Sequence, residues 1–469
     1  MERMSGSRQT RRQVISTIGA GVVGIVIGGA AGLLVGGGAG AEKTVTVAGQ
    51  RETVTLPGTT VTRTTETTRT VEKTLTVERQ YPTPPDKIRV GYTTSLTGSY
   101  AAVAKRQHDG VVLWADWVNR QGGLFVAEYN KKIPVELIYY DDESSKDRAI
   151  VLYEKLITED KAHVLLGPYG SPLTAAVSPI AEKHKKIIIS SMGSDDYIFE
   201  QGYKYIVQPL TPASQYFYST IDFLKSTDPS ARRIAVIYRD VAFTKVAGES
   251  AVNYARQQGL EVVYVKSYPD KVSDLSSILV EIKAANPDAL LISSHIADGT
   301  LAVRQLKELN IDLKFVSVSV AITEPEFVKG IGGEKAVEGL AGPSQWEVGY
   351  SVKKIDYGPT AEEFIATYLA KHGIQPTYHA AGGFAGALCL GYAIEKAGSL
   401  DNDKIRQYFN EMNLSTMYGD FKIDPATGKQ VAHKMVLIQW QGGNKAIIWP
   451  PEGATAKPMY PIPTWESKR

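Results

Sequence analysis

The residues best suited to chemistry are small, hydroxyl-bearing and glycine-rich, and they recur after apolar runs. Gly167-Pro168-Tyr169-Gly170-Ser171-Pro172 follows Ala162–Leu166 and opens a stretch of helical pattern. The first N–H groups of a helix have no partner inside it, so a hydroxyl and free amides at that point make an anion site. Ser190-Ser191-Met192-Gly193-Ser194 and Thr93-Thr94-Ser95-Leu96-Thr97-Gly98 follow two other apolar runs in the same way. Any one of these loops reads as a helix cap. Three of them in one sheet suit a carboxylate or an amide.

Reactive constellations are missing. The sequence has no GxGxxG after an apolar run, no GxxxxGK[ST], no GxSxG and no HExxH. Its seven histidines (108, 163, 184, 295, 372, 379 and 433) show no metal-ligand spacing. Asp141-Asp142-Glu143 is the one acidic cluster, and it reads as charge and capping at a helix start rather than as a metal site. No nucleophile can be paired with a base, so binding is expected rather than catalysis, with no cofactor and no metal.

An alternation of strands and helices must carry these loops. Strands are expected at 87–92, 133–140, 162–166 and 187–190, separated by helices at 102–120, from about 144 to 159, and from 171. Ser144 with Asp147 three residues on suggests a capping box for the second helix. Ser171-Pro172 suggests a side-chain cap with proline at the first helical position of the third. Continuous apolar strands between helices argue for a parallel sheet covered on both faces. The pattern then restarts, with strands at 233–238, 261–266, 289–293 and 313–318 and helices at 244–258, 274–285 and 299–309. Helical stretches (359–372, 379–397, 402–412) and two late strands (433–440, 446–449) follow. Such sheets bind ligands at the carboxyl ends of their strands, so two units face to face make a cleft.

The 469 residues carry a formal charge of +2. Residues 1–80 hold ten Lys/Arg against six Asp/Glu, which leaves the remainder slightly acidic and without a basic face. Nucleic acid is therefore not an expected partner. A single cysteine, Cys389, excludes an intrachain disulfide and reads as a core thiol. Arg8, Arg11 and Arg12 precede an uncharged run from Gln13 to Ala41, long enough to cross about 30 Å of hydrocarbon. Thr10-Arg11-Arg12-Gln13 resembles a twin-arginine export signal. Gly24, Gly28, Gly32, Gly36 and Gly40 line one helical face, which favours a retained anchor over cleavage near Ala41. Positive charge before the run places the body outside the membrane. From Glu42 to Gln80, fourteen residues are Thr and none is aromatic. No core can form there, so 42–85 is expected as an extended stalk. The spacing of Val47, Val54 and Val61 by seven is broken by Pro57-Gly58, which argues against a coiled coil.

Gly91-Tyr92-Thr93-Thr94-Ser95-Leu96-Thr97-Gly98, Asp109-Gly110 and Val118-Asn119-Arg120-Gln121-Gly122-Gly123 resemble the opening of the type I periplasmic binding proteins. The branch is that of the leucine/isoleucine/valine and amide/urea receptors of ABC transporters. The resemblance extends over about 86–450 through Asp141-Asp142, the Gly-Pro-Tyr-Gly-Ser loop, Val303-Arg304-Gln305-Leu306, Tyr418–Asp424 and Gln439-Trp440. It implies two Rossmann-like lobes joined by three crossovers near 209, 341 and 425. Residues 86–208 with 342–424 would form lobe I, and 209–341 with 425–460 lobe II, after an anchor at 1–41.

The resemblance also implies a ligand set. Ser171 matches a carboxylate-binding serine. Ser194 matches a head-group hydroxyl, with Met192 and Gly193 offering backbone. Tyr169 matches a tyrosine of the amide branch. Thr97 belongs to the first hydroxyl loop. Val103 stands where amino-acid binders often have an aromatic residue, and Phe243 replaces a second-lobe tyrosine. Ser319 occupies the place of the acid that holds an α-ammonium, which leaves Asp298, in His295-Ile296-Ala297-Asp298, as the nearest source of that charge. The expected function is an extracytoplasmic receptor. It captures a small polar solute, an amino acid by first expectation and an amide by the second, and delivers it to a permease. Sensor and cleft-hydrolase roles are the rivals. ATP hydrolysis belongs to separate subunits, since this chain has no P-loop.

Overall fold

The computed structural model describes residues 51–56, 59–64 and 80–468. The chain divides into two units, 1–80 and 81–469. In the first, Arg51–Leu56 pairs antiparallel with Thr59–Thr64. Part of the segment expected as an extended stalk is thus a paired ribbon. Alternating Thr and Val favour strands, and Pro57-Gly58 is a turn signal between them. The expected membrane segment at 1–41 lies outside the described residues. Among the described residues no helix is long and apolar enough to cross a membrane.

The second unit holds two α/β cores. Five parallel strands form the first sheet, in the order Val135–Asp141, Ile88–Thr94, Val164–Leu166, Ile188–Ile189, Ile206–Val207. The inner strands are buried on both faces, against the helices Ala101–Arg120 and Tyr378–Ala397 on one side and Lys146–Thr158 and Ser171–Lys183 on the other, whereas the edge strand Val135–Asp141 is only part-buried. The single strand expected at 133–140 is split at Pro134, which has no N–H to donate. Lys131–Ile133 pairs instead with Leu124–Val126. The cap of the second helix is Ser145, whose Oγ accepts from Arg148 N at 3.4 Å, not Ser144.

The second sheet has seven strands. Glu261–Tyr268, Arg233–Arg239, Ala289–Ser293, Phe315–Val318 and Ala341–Ser344 run parallel; the hairpin Val436–Gln441 and Asn444–Trp449 closes one edge antiparallel. Helices Ala242–Gln257, Ser276–Ala285 and Ile296–Glu308 link its parallel strands.

The chain passes between the cores three times. Leu210 packs in the first core and Ala213 in the second; Ala341 in the second and Trp346 in the first; Ile423 in the first and Met435 in the second. The passages are bonded side by side. Thr211 N donates to Gln345 Oε1 at 3.0 Å and Gln345 Nε2 donates to Thr211 O at 3.1 Å. The Thr211 hydroxyl lies 2.7 Å from His433 Nδ1. A few adjacent strands of this kind are where hinged lobes absorb their rotation.

Two helices of the first lobe touch almost backbone to backbone. A Cβ at Gly383 would sit 2.2 Å from Gln107 O, and one at Gly110 would sit 2.0 Å from Ala380 O. Glycine is required at this crossing, and it fixes Arg106 and His379 as near neighbours. Cys389 lies in the same core, where burial pushes its thiol up to about 12.

Candidate functional site

Between the lobes lies a small cavity of about 20 Å³, roughly the space of one water molecule. Gly170, Ser171, Tyr169, Met192, Ser194, Leu210 and Tyr378 line it from the first lobe and its crossover. Tyr216, Phe243, His295 and Val320 line it from the second.

Ser171 does not cap its own helix. Gly170 is the N-cap, at φ 81°, a conformation that glycine adopts freely. Ser171 takes the first helical position and Pro172 the second. The freed Ser171 Oγ accepts from Ser194 N at 3.1 Å and Asp195 N at 3.0 Å, which ties two loops of the sheet into one wall. Ser171 and Ser194 are both buried at the cavity. Gly193 and Met192 part company. Met192 lines the cavity, whereas Gly193 O accepts from Ser190 Oγ at 2.7 Å behind it.

The facing wall is aromatic and uncharged. Phe243 packs edge-on against Tyr216, with ring centres 4.8 Å apart, and against His295 at 5.7 Å. Burial, helped by Arg239, pushes the His295 imidazole down to about 3, so it is neutral, and its Nδ1 has no hydrogen-bond partner. Tyr216 donates to the Tyr378 hydroxyl across the cleft at 3.2 Å.

Several expected residues are engaged elsewhere. Thr97 Oγ1 donates to Asp141 Oδ2 at 2.9 Å, and Ser95 and Thr93 donate to buried Asp142. The first hydroxyl loop is therefore held by the acidic pair and does not join the cavity lining. Val103 is packed in the first core. Asp298, expected to face an ammonium, accepts from His295 N at 3.1 Å and Tyr268 Oη at 2.8 Å and pairs with Arg239 at 3.4 Å. The Ser319 hydroxyl is spent on Ser294, accepting from its N–H at 2.9 Å and donating to its carbonyl at 3.0 Å. Neither Asp298 nor Ser319 lines the cavity. Among the described residues no cluster of His, Cys, Asp or Glu could hold a metal ion.

The reading of loops alone missed Tyr216, Tyr378, Leu210 and Val320. Tyr378 opens a helix far along the chain, and the other three lie at crossovers or turns. Val320 sits at φ 52°, ψ −62°, a turn that a β-branched residue rarely adopts. No sequence signal announces it. Strain of this kind gathers at ligand-binding positions.

Two α/β lobes, three adjacent crossovers and a lined gap between them define a hinged solute-binding protein. A profile of the family described as periplasmic binding protein matches residues 87–445, and the chain belongs to that family. A Leu/Ile/Val-binding protein homolog 7 from Brucella suis is 22% identical over 395 residues, covering 80% of this chain and 94% of its own. The branched-chain amino acid transporter substrate-binding protein LivJ of Streptococcus pneumoniae, solved with isoleucine, superposes with TM-score 0.66 at 18% identity. The match covers 81% of this chain and 99% of that one. A solute-binding protein of an ABC transporter from Rhodopseudomonas palustris, solved with 3,4-dihydroxybenzoic acid, superposes at 0.64 with 22% identity, covering 81% and 98%. Among its relatives, the chain is thus similar to the type I binding proteins of the branched-chain amino acid branch. It is a binder of small solutes and not an enzyme, and its family works outside the cytoplasm.

Proposed function

We propose that the protein is the solute-capturing subunit of an ABC importer and holds a small carboxylate between its lobes for delivery to a permease. The observation that carries this reading is the asymmetry of the cavity. The start of the helix Ser171–Lys183, with Ser171 and Ser194, forms one wall. Aromatic rings and a neutral His295 form the other. Helix-start amides and hydroxyls suit a carboxylate. Rings suit a flat or branched apolar body. Tyr169 and His295 are left to meet the solute's remaining polar atoms.

Among the described residues that line the cavity, none is a carboxylate. A buried ammonium without a counter-charge costs several kcal/mol. The site therefore favours carboxylates without an α-ammonium, of which the 3,4-dihydroxybenzoic acid held by the Rhodopseudomonas homologue is one kind. An α-amino acid such as the isoleucine held by LivJ is the second reading, favoured by the Tyr169 hydroxyl oxygen as an acceptor. An amide or urea is the third. The cavity is smaller than any of these, so the lobes part to admit a solute and close around it. The N-terminal run tethers the body to the outer face of the membrane.

Calorimetry with benzoate, isoleucine and acetamide separates these readings. Benzoate is expected to bind most tightly. Binding of acetamide alone would remove the carboxylate from the account.

A further inference from the structure

Beside the cavity, and not part of its lining, lies an ionic chain that crosses from one lobe to the other. Arg106 belongs to the first-lobe helix Ala101–Arg120 and Glu324 to the second lobe, at the start of the helix Pro325–Ile331. Arg106 Nε lies 2.7 Å from Glu324 Oε2, and its Nη2 donates to Glu326 Oε1 at 2.7 Å. His379, from the first-lobe helix Tyr378–Ala397, meets Glu324 Oε1 through Nδ1 at 2.8 Å. Its Nε2 lies 3.1 Å from the hydroxyl of Tyr169, which lines the cavity. Glu324 and His379 are fully buried, and the Glu326 side chain is 46% exposed at the rim.

We infer that Arg106, Glu324 and His379 are positioning residues that latch the lobes in one closed register and orient the Tyr169 hydroxyl toward the solute. The inference rests on the cavity being the solute site for the role of Tyr169, but not for the latch itself.

The direction of each hydrogen bond follows from the charges. Burial opposes ionisation of Glu324, yet His379, Arg106 and Lys445 hold its carboxyl below the usual range. Burial likewise lowers His379, against the pull of Glu324. A neutral His379 beside a carboxylate must carry its proton on Nδ1 and accept at Nε2. Tyr169 then donates to His379 and keeps its oxygen lone pairs for a solute donor. Lys445 and Glu347 are further charges nearby; the Lys445 Nζ is bound to Thr323 O at 3.1 Å and paired with Glu347 at 2.8 Å.

Energetics explain why a dry ion pair suits a hinge. Taking two charges out of water roughly cancels their attraction, whereas leaving one without the other is strongly unfavourable. Closure with both partners present is therefore nearly balanced, and a bound solute can decide it. Removing one partner leaves the other charge buried and less well compensated, held only by Glu326 or by His379, a cost that opening relieves.

The test is a double-mutant cycle on the full chain, read by small-angle X-ray scattering without added solute and by benzoate calorimetry. Glu324→Gln and Arg106→Met are each expected to enlarge the radius of gyration. Each should weaken benzoate binding about tenfold, since hydrogen bonds to charged groups are worth that much or more. The double variant, with no charge left to bury, is expected to return toward the compact wild-type radius and regain most of the affinity. Glu326→Gln, at the exposed rim, should give a small shift of the same sign and serves if the buried variants fail to fold. Unchanged radii in Glu326→Gln and the single variants, or additive losses in the double one, would overturn the latch. Normal latching without benzoate binding would instead count against benzoate as the solute.

Discussion

The loops Thr93–Gly98 and Gly167–Ser171 leave neighbouring strands of one sheet, carry the same kinds of residue, and end in opposite roles. In the first, Thr93, Ser95 and Thr97 donate to Asp141 or Asp142 and Thr94 to the Ala104 carbonyl, and the loop becomes a strut. In the second, no acid competes. Ser171 accepts amides from the next loop and stands at the cavity. What separates a structural hydroxyl from a ligand-facing one is the acceptor that reaches it first.

Four experiments break or sharpen this contrast. The largest effect is expected from Asp142→Ala, which strands Thr93 and Ser95 hydroxyls that are now bonded to a buried carboxylate. A loss of about 3 kcal/mol in urea unfolding is expected, with solute affinity intact once folded. Lost affinity at full stability would place this loop in the site. Ser171→Ala should weaken solute binding by about 1–3 kcal/mol, the cost of leaving a buried acceptor of the solute without its hydroxyl donor. Unchanged affinity in calorimetry would make Ser171 a strut as well.

The third effect appears only in acid. Burial opposes ionisation of Asp141, but the N–H of Glu143, the hydroxyl of Thr97 and the N–H groups of Leu96 and Thr97 together hold its carboxyl below the ordinary value. A carboxyl lowered in the folded state stabilises above its unfolded pKa, about 3.9, and loses that contribution as pH falls through the folded value. Asp141→Asn should therefore unfold along a shallower curve below about pH 4. An unaltered acid branch would show that Asp141 titrates alike in both states. Thr97→Ala, last, should change solute affinity by less than about 0.5 kcal/mol, as exposed substitutions do. A larger loss would return Thr97 to the ligand.

Much of the architecture was readable from periodicity. The apolar runs and glycine stops located eight of the ten parallel strands and the long helices to within a few residues, because buried parallel strands have no polar face to disguise them; Ile206–Val207 and Ala341–Ser344, short and at the crossovers, were not expected. The break at Pro134 was missed, although proline's lack of a donor explains it. The site was half legible. Tyr169, Ser171, Met192, Ser194, Phe243 and His295 come together at the cavity. Asp298 and Ser319 looked like free polar groups in the sequence, and only the fold reveals Tyr268, Arg239 and Ser294 as their partners. Tyr216 and Tyr378 were invisible because they lie 162 positions apart and meet only when the lobes do.

The central claim is that one solute bridges both lobes. Hydrogen–deuterium exchange on the full chain, with and without saturating solute, tests it most directly. The account predicts simultaneous slowing of exchange around 169–174 and 192–196 on one lobe and 293–298 and 319–324 on the other. Slowing confined to a single lobe, or to neither, would contradict it.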